Sequence, residues 1–131
     1  MPGRISDRLR MTPRLQGRRI LIVEDEFVVG ELLRSSVKRE AGIPVGPVLT
    51  GQAAIDLLRR EQLHAALLDV SLLDGSSVQV AKLLEARGVP YAILTGHIAD
   101  SLPIELKTAP YLEKPIAPGV VIAMLEQLVS R

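Results

Sequence analysis

Three consecutive carboxylates, Glu24-Asp25-Glu26, follow the apolar run Arg19-Ile20-Leu21-Ile22-Val23. A buried strand that ends in adjacent acids presses like charges together, which is unfavourable unless a positive group, often a divalent cation, stands between them. Three further residues with chemical capability close short apolar runs or follow them: Asp69 in Leu67-Leu68-Asp69-Val70, Thr95 in Ile93-Leu94-Thr95-Gly96, and Lys114 in Glu113-Lys114-Pro115. Asp25 and Asp69 can offer oxygens to a hard cation such as Mg2+ or Mn2+, and Glu24 is suited to hold one of its waters. Were Asp69 to act as a carboxylate nucleophile toward phosphorus, the acyl phosphate formed would add negative charge that needs neutralising. The metal and Lys114 would supply that compensation, and Thr95 could donate a hydroxyl hydrogen bond to a phosphoryl oxygen. Taken singly these residues are ordinary, since Asp after a strand commonly caps a helix and Lys-Pro commonly marks a loop. Their value lies in falling together at the ends of the strands that must carry them.

Those strands are expected over 19–23, 45–49, 65–70, 91–95 and 111–113, all short and rich in Val, Ile and Leu. Segments of helical period lie between them, over 27–40, 52–61, 76–86 and 118–129. Gly42 is a candidate C-cap for the first helix, a Ser-Ser cap opens the third, and Gly88 before Pro90 closes it. Pro118 suits a first helical turn. The stretch 97–107 contains Pro103, so a helix there is short or broken. This alternation predicts an α/β fold, an open doubly wound parallel sheet with helices on both faces, in which ligands bind beyond the C-terminal ends of the strands. Glu24, Asp25, Asp69, Thr95 and Lys114 all belong to that edge.

Ile-Leu-Ile-Val-Glu-Asp-Glu (20–26), Leu-Leu-Asp-Val (67–70), Ile-Leu-Thr-Gly (93–96) and Glu-Lys-Pro (113–115) occur in order, with Asp25, Asp69, Thr95 and Lys114 separated by 44, 26 and 19 residues. In this the chain resembles the receiver domain of a bacterial two-component response regulator, over about residues 18–131. The resemblance implies a flavodoxin-like five-stranded sheet of order 2-1-3-4-5. It implies Asp69 as phosphoacceptor, Asp25 as a direct Mg2+ ligand, Glu24 as the second member of the acidic pocket, and the backbone carbonyl of Ser71 as a third protein ligand. Thr95 would be the switch hydroxyl and Lys114 the phosphate-binding lysine, in a cis Lys114-Pro115 peptide. Tyr111 matches the aromatic residue that turns inward on activation. Ser71 and His97 occupy the positions that tune acyl-phosphate lifetime in relatives. The phosphoryl donor implied is a sensor histidine kinase or histidine phosphotransfer protein.

The chain departs from the common pattern in three places. The loop after Asp69, Val70-Ser71-Leu72-Leu73-Asp74-Gly75, lacks the usual proline and is about two residues short. Gly96 and His97 follow Thr95, and Pro103 interrupts the next helix. These features resemble a single-domain subgroup with a Thr-Gly motif and a reduced fourth helix, and they draw attention away from the usual output surface. With no effector after residue 131, output is expected by phosphoryl relay, phosphate sink or phosphorylation-gated docking. Beyond catalysing its own phosphorylation and dephosphorylation the protein is not expected to be an enzyme. Two other readings stay open: a non-phosphorylated interaction module of the same fold, and a Mg2+-dependent hydrolase with an aspartyl-phosphate intermediate. The latter would ordinarily have an acid where Ser71 stands. His97 either contacts the phosphoryl group or its attacking water, or is a solvated loop residue, and His64 is read as a surface residue without a role.

Composition bounds the rest. A chain of 131 residues makes one domain with a full hydrophobic core, and zero Cys excludes disulfides, thiolate metal sites and cysteine nucleophiles. Apolar runs are too short to span a bilayer and no secretory signal is visible, so a cytoplasmic protein without membrane association is expected. The net charge of +1 divides into +5 over residues 1–19, with six arginines against Asp7, and −4 over the remainder. The basic stretch has no aromatic residue to stack on bases; direct nucleic-acid binding is not expected, and residues 1–17 are read as a flexible extension. Tyr111, Ile116 and Val120 would form either an apolar homodimer face on the last strand and helix or part of the core.

Overall fold

Every residue of Ala65–Asp69 and of Tyr91–Thr95 is buried, as it must be for central strands covered on both faces. The computed structural model describes residues 13–96 and 102–130. Its strands are β1 (Arg19–Val23), β2 (Ile43–Val48), β3 (Ala65–Asp69), β4 (Tyr91–Thr95) and β5 (Tyr111–Glu113). They form one parallel sheet in the order β2-β1-β3-β4-β5, the order expected. The α-helices among the described residues are α1 (Phe27–Arg39), α2 (Gly51–Arg60), α3 (Ser77–Ala86) and α4 (Pro118–Val129).

Alternation along the strands divides the core in two. Leu21, Val23, Ala66, Leu68, Tyr91 and Ile93 face α2 and α3, where Ala54, Leu58, Val80 and Leu84 meet them. Ile20, Ile22, Ala65, Leu67, Ala92 and Leu94 face α1 and α4, against Leu33, Val37, Val121 and Leu125. Between β4 and β5 the described residues hold a single 3-10 turn, Ile104–Leu106, which begins directly after Pro103 and buries Leu106. This fits the short or broken helix expected there, since proline removes a donor and sterically opposes the preceding helical turn.

Four details differ from the sequence expectation. Strand β2 starts two residues early and includes Pro44 and Pro47, with a register shift against β1 between Leu21 and Val23. Prolines weaken a strand assignment, but β2 is an edge strand and can spare the donors they lack. Gly46 there has φ +103°, and a Cβ on it would meet the Ile22 carbonyl oxygen at 2.7 Å, so only glycine fits. Helix α1 closes with the left-handed residue at Ala41 (φ 61°), not Gly42: Ala41 N–H donates to Lys38 O and Gly42 N–H to Val37 O. Gly42 is required for space instead, because a Cβ would lie 2.7 Å from Val37 Cγ1.

The third difference is the Ser-Ser pair. Neither hydroxyl caps α3: Ser76 Oγ donates to Asp74 Oδ1, and Ser77 Oγ donates to the Val70 carbonyl. The fourth concerns residues 13–17, assigned above to the flexible extension. Leu15 is fully buried in the α1/α4 half of the core, its N–H donates to Glu40 O, and Gly17 N–H donates to Ala41 O. One apolar residue among polar neighbours carries no periodic signal, so its burial was not legible locally. Residues 1–12 lie outside the described residues. Leu15→Ala is expected to lower unfolding free energy by about 2–4 kcal/mol in urea titrations; an unchanged midpoint would mean that this segment does not pack on the core.

Candidate functional site

Parallel strands finish on the same edge, and the register decides who meets whom there. Val23 pairs with Leu68, so the residues that follow β1 stand beside Asp69. Lys114 N–H donates to Thr95 O (2.8 Å), which continues the β4–β5 ladder and sets Lys114 next to Thr95. Glu24 N–H likewise donates to Val48 O across β2. All five residues predicted for this rim are thereby brought together. Glu24 (0% exposed), Asp69 (2%) and Thr95 (2%) are buried, Asp25 is half-buried, and the Lys114 side chain is 16% exposed.

The Lys114 ammonium is held among three carboxylates, at 3.0 Å from Glu24 Oε1, 2.5 Å from Glu26 Oε1 and 3.3 Å from Asp69 Oδ2. Its hydrogen bond to Glu24 falls on Oε2 (3.1 Å), which also accepts the Glu26 N–H at 3.0 Å. Glu24 Oε1, though close to the ammonium, has no hydrogen bond aligned to it and is buried. Asp69 Oδ1 accepts the Ser71 N–H at 2.9 Å. One carboxylate oxygen from each of Glu24, Asp25 and Asp69 lies within 4.8 Å of the others. An all-oxygen donor set with one buried oxygen lacking a hydrogen bond fits a hard divalent cation and its waters.

The proton affinities follow from this crowding. Burial, reinforced by the neighbouring Asp69, raises the Glu24 pKa from 4.5 to about 7, against the opposing hydrogen bonds from Glu26 N–H and Lys114. Burial and the Asp69 charge also raise that of Asp25. Desolvation opposes the charge of Lys114, but hydrogen bonds to Glu26 and Glu24 and the charges of Asp69 and Glu24 outweigh it, so its pKa is raised.

Asp25, Glu26, Asp69, Ser71, Gly96 and Lys114 line a cavity of about 340 Å³ that opens this site to solvent. A larger cleft of about 540 Å³ lies at the opposite edge, by the N-terminal ends of β4 and β5. Its one carboxylate, Glu85, accepts the Tyr91 hydroxyl at 2.8 Å, and no cluster of charges converges there.

The loop after Asp69 is fastened to helix α2. Asp74 accepts the Gly51 N–H on Oδ1 (3.1 Å) and the Gln52 N–H on Oδ2 (3.2 Å), serving from outside the helix the orphan donors of its first turn. Thr50 Oγ1 accepts a third, from Ala53. Leu72 buries its side chain in the core below. A loop without proline is thus anchored by side chains.

Glu26, left out of the five rim residues expected from the sequence, is a direct partner of Lys114. The signal was present, since it is the third acid of the run. Ser71 is exposed beside Asp69, Tyr111 is 48% exposed on β5, and the Lys114-Pro115 peptide is cis. Of the expected apolar patch, Tyr111 and Val120 face solvent while Ile116 packs on the core. His64 is not a bare surface residue: its Nδ1 accepts the Arg19 N–H at 2.9 Å, joining the starts of β1 and β3. His97 lies outside the described residues.

The family model described as response regulator receiver domain matches residues 20–126. The chain belongs to this family. It is 30% identical over 122 residues to the transcriptional regulatory protein GltR of Pseudomonas aeruginosa, covering 88% of the chain. The chain spans 50% of the length of that curated relative. Among solved structures it is similar to SdrG from Sphingomonas melonis Fr1 (34% identity, TM-score 0.75, covering 88% of this chain and 98% of that one). The BeF3-activated conformation of SdrG from Pseudomonas melonis Fr1 gives 36% identity and a TM-score of 0.72 over 85% and 96% of the two chains. Receivers are signalling modules that bind Mg2+ in an acidic pocket and are phosphorylated by histidine kinases or phosphotransfer proteins. No helix among the described residues is long and apolar enough to cross a membrane.

The raised pKa of Glu24 makes this receiver's stability pH-dependent in a defined direction. Its folded state binds the Glu24 proton more tightly than the unfolded chain, so the contribution is present below pH 4.5 and lost as pH rises to about 7. Without divalent cations, the Glu24-dependent part of the unfolding free energy is expected to fall by about 2–3 kcal/mol across that window. Urea titrations at pH 4.5 and 7.5 on wild type and Glu24→Gln check this, the variant losing that part of the slope.

Proposed function

We propose that this receiver accepts a phosphoryl group on Asp69 from a histidine kinase or histidine phosphotransfer protein, in a Mg2+- or Mn2+-dependent reaction. The observation that carries the reading is the setting of Asp69: buried, oriented by the Ser71 N–H at 2.9 Å, and facing the Lys114 ammonium at 3.3 Å on the wall of an open cavity. A nucleophile needs a fixed direction of attack, and the acyl phosphate it becomes needs a nearby cation.

In the transfer, an Asp69 carboxylate oxygen forms the new bond to phosphorus as the phosphorus–nitrogen bond of the donor's phosphohistidine breaks. The imidazole leaves with the bonding electron pair. Lys114 follows the charge, exchanging part of its contact with Glu24 and Glu26 for a phosphoryl oxygen. Thr95, buried at the adjacent strand end, offers its hydroxyl to another. Asp25, Asp69 and the Ser71 carbonyl would hold the divalent cation, with Glu24 retaining one of its waters. That cation, when bound, supplies further positive charge against the phosphoryl oxygens.

The protein would act in the cytoplasm as a phosphorelay intermediate, phosphate sink or phosphorylation-gated docking protein, with Tyr111 as the residue that reorients. The 3-10 turn Ile104–Leu106, the helical element among the described residues between β4 and β5, supports an output face different from one built on a long helix there. Ser71 and His97 would set the lifetime of the phosphorylated form, and His97→Ala is expected to change its dephosphorylation rate.

Incubation with acetyl phosphate and Mg2+ should add one phosphoryl group to wild type and none to Asp69→Asn, read by intact-mass spectrometry. Removal of divalent cations with a chelator should abolish the gain. Wild type that stays unmodified under these conditions would favour the non-phosphorylated interaction module instead.

A further inference from the structure

Ser77, the first residue of α3, is a small polar side chain buried to 4% exposure in a domain whose other buried polar groups are mostly at the acidic rim. Its hydroxyl donates to the Val70 carbonyl at 3.1 Å. The Val70 carbonyl and the Ser71 N–H belong to the same peptide group, and that N–H donates to Asp69 Oδ1 at 2.9 Å. Ser77 hydroxyl, peptide 70–71 and Asp69 carboxylate therefore form one unbroken chain of hydrogen bonds.

We propose that Ser77 is a positioning residue for phosphoryl transfer, fixing the plane of the Val70-Ser71 peptide and through it the orientation of the Asp69 carboxylate. A peptide group is rigid about its own bond, so a donor on its carbonyl sets the direction of its N–H. A hydrogen bond accepted by the carbonyl also polarises the group and strengthens the bond its N–H makes, the more so away from water. The surrounding loop explains why the device falls on this residue. It lacks a proline to stiffen it, Ser71 itself is exposed, and the anchor at Asp74 lies on the far side of Leu72 and Leu73. The same peptide is followed by the Ser71 carbonyl, the third group in the proposed cation site, so its plane bears on two functions. Ser77 touches neither substrate nor metal and acts only through peptide 70–71.

The inference rests on Asp69 being the phosphoacceptor, and its test separates the two ideas. In the unphosphorylated, metal-free protein, Ser77→Ala should move the Ser71 amide proton upfield and speed its exchange, seen by 1H–15N NMR, while Gly51 and Gln52 amides stay in place. With acetyl phosphate and saturating Mg2+, Ser77→Ala should lower the maximal phosphorylation rate about fivefold, the factor that ~1 kcal/mol of lost orientation makes in a rate, without changing the half-saturating acetyl phosphate concentration. Ser77→Thr, which keeps the hydroxyl, should retain both wild-type properties. Where Ser77→Ala does not fold, Ser77→Cys keeps the volume with a weak donor and is read in the same way. An unshifted Ser71 amide, or a wild-type phosphorylation rate in Ser77→Ala, overturns the proposal. Failure of wild type to take up a phosphoryl group would instead remove the functional reading, and the Ser71 amide would still decide whether the hydrogen-bond chain operates.

Discussion

The constraint on which this structure turns is the gathering of acids at the end of a parallel sheet around a single ammonium. Strands that all run the same way must all end on the same edge, so Glu24, Asp25 and Asp69 cannot be separated without abandoning the fold. Lys114 stands between Glu24, Glu26 and Asp69 and offsets part of the repulsion, yet one positive charge does not satisfy them all. Glu24 responds by holding its proton up to about pH 7, and one of its buried oxygens is left without a hydrogen bond. This residual electrostatic debt is what makes the site receptive to a divalent cation.

The rest of the domain keeps that arrangement in place. The two halves of the core clamp β1, β3 and β4 from both faces, so their ends cannot drift. The β4–β5 ladder extends one hydrogen bond beyond β5 to set the backbone of Lys114 against Thr95. The loop after Asp69 is held at one end by Ser77 on the Val70 carbonyl and at the other by Asp74 on the first turn of α2. Gly51 belongs to the same contact: a Cβ there would lie 2.7 Å from Ser76 Cβ, so α2 and this loop approach as closely as a glycine allows. In the proposed function, stability and phosphoryl transfer would share these contacts. What positions Asp69 also seals the α2/α3 side of the core.

Much of the fold was legible because the relevant signals are local. Continuous apolar runs marked β3 and β4, and Gly88 before Pro90 marked the end of α3, where Gly88 indeed has φ +69°. Signals failed where a local rule was overridden by position in the sheet or by distant packing. The strand expected over 45–49 begins instead at Ile43 and takes in Pro44 as well as Pro47, which an edge strand tolerates. The burial of Leu15 depends on α1 and α4, which lie elsewhere in sequence. The Ser-Ser pair looked like a helix cap, yet tertiary structure supplied both hydroxyls with better-placed acceptors.

By itself the sequence determined the chemistry available: three consecutive acids after one apolar run, one acid, one hydroxyl and one ammonium after others, and the alternation that sends every such run to a common edge. Residue type and strand period are written locally, and the topology of a doubly wound sheet follows from them. Only the tertiary structure decided which of those groups touch, because contact depends on register and on side-chain length across strands that are distant in the chain. It drew Glu26 into the ion cluster, joined His64 to the start of β1, and ran a hydrogen-bond chain from Ser77 through one peptide group to Asp69. No spacing in the sequence encodes those contacts, since each is fixed by where packing leaves a donor facing an acceptor.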